Sequence, residues 1–230
     1  MQFFDSHTHQ VRDSIRQSQV LSVDIRKALD QGLKPEGPFC LGIHPWYIDE
    51  IVIDEAYELI KEFLEHQHFM SMGEMGLDRK IKVPIQRQLE VFEKQIKLAI
   101  DAEVNSLVLH CVRAYPDVLN LIKKLNYRGS LIFHDYNGNP DMTSQLLRYN
   151  VFFSYGPKLY DEKSGGFRSF THIPNHRLLL ETDDMEDYRI EDIYEKAANL
   201  LNLDLKKLQQ IMLENAESAF GKPLPSDACQ

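Results

Sequence analysis

Short apolar runs alternate along this chain with longer segments in which apolar residues recur every three or four positions. Runs at 2–7, 19–23, 39–43, 69–73, 106–109, 130–133, 151–154 and 177–181 have the length and composition of buried parallel strands. Between them, residues 52–65 place Val52, Ala56, Leu59, Ile60, Phe63 and Leu64 on one helical stripe. Residues 84–103 open with Pro84 in the first turn and repeat Ile85, Leu89, Phe92, Ile96 and Ile100. Segments 116–125, 140–148 and 189–201 behave alike. A last helix over 205–216 starts from Asp204 as N-cap, with Leu205, Leu208, Ile211 and Met212 facing inward.

Strand–helix alternation predicts a parallel sheet covered by helices, and eight strands predict an α/β protein, a (β/α)8 barrel of the TIM type. The run at 19–23 lies in a polar stretch, so a distorted or incomplete barrel is expected around residues 10–38. With no repeat, low-complexity tract or linker, residues 1–221 read as one domain and 222–230 as a loosely ordered C-terminal tail.

Composition narrows the function classes. The 230 residues are 43% hydrophobic, enough for one sizeable core, and the formal charge is −9. That charge excludes a generally cationic nucleic-acid binder, but not a nucleic-acid enzyme whose bound cations supply positive charge locally. Cys40, Cys111 and Cys229 are odd in number and lack metal-knuckle spacing, so they read as reduced thiols. There is no signal-peptide pattern and no apolar run approaching ~18 residues. The expectation is a cytoplasmic monomer, or at most a weakly associated one, with no membrane contact.

The chemistry sits where a barrel keeps it, at the C-terminal ends of strands. The first strand ends in Asp5-Ser-His7-Thr-His9, and alternate side chains of a strand share a face. The third runs into Gly42-Ile-His44-Pro45, the fourth into Gly73-Glu74-Met-Gly-Leu-Asp78 and the fifth into His110. The sixth ends at His134 and the eighth at Glu181-Thr-Asp183. Four imidazoles (His7, His9, His110, His134) and two carboxylates (Glu74, Asp183) exceed the needs of one structural ion. They suit two divalent metal ions with Glu74 as bridge, and such a pair serves hydrolysis. Mixed imidazole and carboxylate ligands admit zinc, manganese or nickel, with magnesium as a substitute.

Other residues carry blander readings. His66, His68, His172 and His176 lie off the strand-end pattern and read as surface or loop residues. Glu181 should point elsewhere than Asp183, toward a group that supports a ligand, Asp78 should order its own loop, and Cys111 should be buried packing. Asp5 is open between supporting the ligands and starting its strand. Arg79, Lys80 and Lys82 read as a solvated face near the mouth.

The stretches Asp5–His9, Gly42–Pro45, Gly73–Asp78, Gln88-Leu-Glu-Val-Phe92 with Gln95 and Ala99, His110-Cys-Val-Arg-Ala114, Phe133-His134, Leu179–Asp183 and Asn215–Gly221 stand in one family's order. The chain resembles a TatD-type metal-dependent hydrolase of the amidohydrolase superfamily. The resemblance implies that His7, His9, Glu74 and Asp183 hold one metal, and Glu74, His110 and His134 the other. It implies that Glu74 and Asp183 are catalytic, Asp183 taking a proton from a metal-bridged water or hydroxide. His44 and Arg113 would bind substrate, although His44 could equally cap the turn before Pro45. The implied activity is that of a deoxyribonuclease or phosphodiesterase, with DNA or a small phosphodiester as partner. One alternative is a metal-dependent esterase or amidase, such as a deacylase of aminoacyl-tRNA. Another is a metal-binding homologue without nuclease turnover. A phosphoesterase of the histidinol-phosphatase type fits the motifs poorly. The chain departs from the family pattern at 10–38, at Asp135-Tyr-Asn-Gly138 and at Asp184-Met185, which places substrate preference in question.

Overall fold

The structure, a computed structural model, describes residues 2–11 and 17–224. Its elements alternate as the apolar pattern predicts. The first half contains strands β1 Phe3–Thr8, β2 Gln17–Ser22, β3 Phe39–Leu41 and β4 Phe69–Asp78, with helices α1 Ile25–Gln31 and α2 Ile53–Phe63. Helix α3 Ile85–Asp101, strand β5 Ser106–Val112, helix α4 Tyr115–Leu125 and strand β6 Ser130–Phe133 follow. The remainder is α5 Pro140–Leu146, β7 Val151–Tyr155, α6 Gly165–Phe170, β8 Leu178–Leu180, α7 Ile190–Leu201 and α8 Leu205–Phe220. The eight strands form one sheet ordered β1 to β8 as in the sequence. Packing divides the chain into two compact units, Ser22–Leu131 and Met1–Leu21 with Ile132–Gln230.

In the unit spanning 22–131, β4 pairs in parallel with β3 on one side and β5 on the other. The expected 69–73 run extends to Asp78 because two glycines let the backbone pass close to β5. At Gly73 (φ 146°) a Cβ would stand 2.4 Å from the Val108 carbonyl oxygen, and at Gly76 (φ 142°) 2.2 Å from that of His110. No side chain fits either place. The helix predicted from Pro84 forms as α3 and buries Val91, Phe92, Ile96 and Ala99. The three larger of these contribute roughly 1.5–3 kcal/mol each by leaving water. Two glutamines on its inner face, Gln88 and Gln95, clasp backbone. Gln95 takes the Ile43 N–H at 2.7 Å and returns its own N–H to the Ile43 carbonyl at 3.1 Å. Gln88 does the same for Asp78 at 2.7 and 2.9 Å. The strand ends that carry His44 and Asp78 are thereby fixed to α3.

In the unit of 1–21 and 132–230, β1 pairs with β2, with a register shift between Asp5 and Thr8. The extra residue of this irregularity is on β1, before the 10–38 stretch where distortion is expected, and residues 12–16 lie outside the described residues. β7 pairs with β8, and beyond β8 the Asp183 N–H reaches the His7 carbonyl while the His9 N–H reaches that of Asp183. Two buried polar side chains hold helices to these strands. The Tyr194 hydroxyl of α7 bonds both the N–H and the carbonyl of Phe4, and Asn215 of α8 donates to the carbonyls of Asn175 and Leu178. Asp204 caps α8 as predicted, accepting from Lys207 N at 2.8 Å, and Gly221 (φ 63°) ends it. Leu224 at the start of the expected loose tail is buried, and 225–230 lie outside the described residues. Among the described residues no helix is long and apolar enough to cross a membrane.

Candidate metal centre

Each unit contributes its own cluster of imidazole and carboxylate groups at the C-terminal ends of its strands. In the unit of 1–21 and 132–230, His7 lies in β1, His9 just past it and His134 just past β6. Asp183, in the left-handed conformation at φ 54°, follows β8. The His7 Nε2 is 3.7 Å and the His9 Nε2 3.5 Å from Asp183 Oδ1. The donor atoms of these three residues all lie within 4.8 Å of one another. The His134 ring stacks on His7 at 4.3 Å between centroids, with its Nδ1 4.0 Å from the same Asp183 oxygen.

Behind this cluster sits a support made by burial. Asp5 is fully buried and accepts from the Thr182 hydroxyl at 2.6 Å, the Thr182 N–H at 3.1 Å and the His7 N–H at 3.3 Å. It ties β1 to the residue beside Asp183. Burial pushes its carboxyl up to about 7 against the opposing pull of the Thr182 hydrogen bonds. Glu181, expected to point elsewhere than Asp183, joins the group of His134 and Asp183, since alternate residues of an extended segment share a face. Glu181 accepts the Asp135 N–H at 2.6 Å, and its Oε1 lies 3.7 Å from His134 Nδ1.

In the unit spanning 22–131, Glu74 is buried on β4, its Oε1 3.0 Å from both His44 Nε2 and His110 Nδ1. Ser22 Oγ stands 3.5 Å from its other oxygen. The two imidazoles differ in what their second nitrogens do. His44 Nδ1 accepts the Trp46 N–H at 3.2 Å, so the ring proton sits on Nε2 and is donated to Glu74. That tautomer makes His44 a hydrogen-bond donor, the kind of group that suits a substrate oxygen, and it caps the turn as well. His110 Nε2 faces Asp78 Oδ2 at 3.4 Å, and a ring proton held there would leave the Nδ1 lone pair, 3.0 Å from Glu74, for an ion.

Asp78 orders its own loop through the Lys80 N–H at 2.7 Å, as expected, and also accepts from Trp46 Nε1 at 2.8 Å. Burial alone would raise its pKa, but these hydrogen bonds and His110 outweigh it and hold the carboxyl at about 2. Trp46 escapes a reading of motifs, although the only tryptophan of the chain, placed straight after His44-Pro45, is a visible signal.

The other sequence candidates fall differently. Arg113 is exposed in the left-handed turn after β5 and forms no ion pair among the described residues. Arg79 of the basic run is engaged by Asp117 at 2.8 Å. Cys111 is packing: burial raises its thiol far above neutrality, and Cys40 and Cys111 are both free. Cys229 lies outside the described residues.

The donor chemistry fits divalent ions, since neutral imidazole beside buried carboxylate binds zinc, manganese or nickel. An imidazole whose other nitrogen is held by a carboxylate, as in His110, is the usual support of such a ligand. Parallel strands with these candidate ligands at their C-terminal ends define a metal-dependent hydrolase on a (β/α)8 barrel of the TIM type. The family model described as TatD related DNase matches residues 4–221, and the chain belongs to that family. It is 30% identical over 197 residues to the metal-dependent hydrolase YabD of Bacillus subtilis, covering 78% of this chain and 76% of that protein. It is 28% identical over 201 residues to the 3'-5' ssDNA/RNA exonuclease TatD of Edwardsiella piscicida, covering 78% and 76%. The crystal structure of YJJV, a TatD homologue from Escherichia coli K12, superimposes with a TM-score of 0.81 at 19% identity. That match covers 96% of this chain and 98% of the other.

Proposed function

We propose that this protein is an exonuclease that hydrolyses phosphodiester bonds at the ends of single-stranded DNA or RNA, using two divalent ions. The observation that carries this reading is the pair of imidazole–carboxylate clusters at strand ends, together with relatives named as nucleases of that class. By the family resemblance, His7, His9, Glu74 and Asp183 would hold one ion, and Glu74, His110 and His134 the other. When bound, such ions make water a nucleophile near neutral pH and offset charge on phosphate oxygens.

The chain's own groups do the rest. Asp183, held by the Asp5–Thr182 bonds behind it, takes the proton of the attacking water. His44 donates from Nε2 to a phosphate oxygen once substrate displaces its contact with Glu74. Asp78 holds the His110 ring so that its lone pair stays directed at the centre. Arg113 meets the strand at the rim, where a guanidinium suits phosphate. Residues 1–221 act as one hydrolase domain, in keeping with the family match over 4–221. The free thiols Cys40 and Cys111 suit a reducing cytoplasm, where the protein works as a monomer.

The test uses short single strands labelled at the 3' or 5' end, incubated with protein reloaded with manganese, magnesium or zinc. Cleavage from one end should require metal. Asp183→Asn should lower kcat about a hundredfold to ten-thousandfold, the usual value of a proton-transfer group, and Glu74→Ala should abolish turnover. Metal-loaded protein that cleaves neither strand, or a Glu74→Ala variant as active as wild type, would remove the proposal.

A further inference from the structure

A cavity of about 420 Å³ opens directly beside Asp183, walled by Asp135, Lys158, Tyr160, Asp184 and Tyr188. That volume lies in the range of small-molecule sites. We propose that it is a subsite for the terminal nucleoside of the substrate strand, and that it accepts a hydroxyl end and disfavours a phosphate end. The proposal rests on the nuclease reading and names the substrate end that reading leaves open.

One wall is aromatic and anchored. The Tyr160 hydroxyl donates to the Asp192 carbonyl at 2.8 Å, and Lys196 Nζ lies 5.3 Å from the centre of its ring. The Tyr188 ring stands 5.3 Å from that of Tyr160, tilted by 39°. Tyr160 is 43% exposed and Met185, which completes this wall, is 42% exposed. Large side chains kept at the mouth of a cavity beside the centre offer a base a flat surface, and base–aromatic contact is tolerant of sequence.

The remaining lining is acidic. Asp135, Asp161, Asp183 and Asp184 face a single cation among the described lining residues, Lys158, which is held in an ion pair by Asp135. Ionised carboxylates only accept hydrogen bonds. They therefore recognise sugar hydroxyls and exocyclic amino groups and repel a second phosphate. The scissile phosphate belongs at Asp183 and the nucleoside beyond it belongs here, so one nucleotide leaves per turnover. Asp135, Asp184 and Met185 lie in the two loops, 135–138 and 184–185, that stand out in the sequence and that the metal ligands leave unexplained.

The test pairs one single strand in two forms, with a hydroxyl or a phosphate on the end attacked. For wild type, the phosphate should raise KM about tenfold or more, and Asp184→Lys should bring the two forms level. Tyr188→Ala should raise KM for the hydroxyl form about fivefold to a hundredfold, the span of base–aromatic stacking, with Tyr188→Trp restoring it. A second readout needs no turnover. A strand ending in 2-aminopurine, bound to metal-free protein, should lose fluorescence with wild type and keep it with Tyr188→Ala. Metal-dependent cleavage with equal KM for both ends and unquenched 2-aminopurine would overturn the subsite and leave the nuclease reading standing. Wild type that cleaves neither form would overturn both.

Discussion

The bond between Thr182 and Asp5 is a direct point at which the core of this protein can be made to move its candidate metal ligands. Thr182→Val replaces the hydroxyl by a methyl of similar size, so no cavity forms and the effect is confined to hydrogen bonding. The hydroxyl lost lies 2.6 Å from the Asp5 carboxylate, and Thr182 has no exposed surface. A hydrogen bond to a charged acceptor contributes about 1.5–3 kcal/mol. For a chain of this length each kcal/mol moves Tm by roughly 2–4 °C, so the expected drop is about 3–12 °C. The melt is best followed by circular dichroism at about pH 8.5, above the value near 7 to which burial raises Asp5, so that the acceptor is ionised. Thr8→Val is the matched control. Its hydroxyl bonds are 3.3–3.4 Å long, and its loss should cost less than half as much. Equal shifts for the two variants, or a Thr182→Val protein melting within a degree of wild type, would show that Asp5 is not held as described.

Two further predictions follow from groups at the edges of the site. Asp78→Asn removes the carboxylate that faces His110 Nε2 and accepts from Trp46 Nε1. Metal affinity, read by competition with a coloured chelator, should fall about 10–100-fold, and unchanged affinity would separate Asp78 from the centre. Asp24, the N-cap of α1, is raised by burial but lowered further by Arg26, so its folded pKa lies below the usual 3.8. A depressed carboxyl contributes stability above its unfolded pKa and loses it as pH falls through the folded value. Asp24→Asn keeps the cap but not the charge, and both partners are partly exposed. Its deficit should therefore be about 1 kcal/mol or less above pH ~5 and shrink as pH falls below 3.8. A deficit that persists undiminished at about pH 3 in urea melts would mean the ion pair is not its source.

The strands were legible because a buried parallel strand is apolar on both faces, and every predicted run contains or overlaps an observed one. Where the reading stopped short, polar function or backbone geometry interrupted the apolar signal. β4 runs on through Glu74 to Asp78, past two glycines that look like a turn until the nearness of β5 is known. Helix α1 hides because only Ile25 and Ala28 of its seven residues are buried. Helix α6 hides because it begins with Gly165-Gly166, where a Cβ on Gly166 would meet the Tyr136 carbonyl oxygen at 2.5 Å. The six candidate ligands could be picked out since strand ends can be counted along a chain. The contacts that Trp46 and His110 make with Asp78 could not, because they depend on which way a loop turns after its strand.

Gln88 and Gln95 are two helical turns apart on α3, and each closes a two-way bond around the backbone of a strand end. Neither strand end can loosen on its own, because opening it requires breaking contacts made by the helix that carries the core. The Ile43 and Asp78 amides should therefore exchange with solvent on the schedule of sub-global unfolding, although they border loops. His44 and Asp78 thus have no private motion to lend to a substrate. The time scale of this part of the centre is that of α3 leaving the sheet, and incoming strands meet it already set.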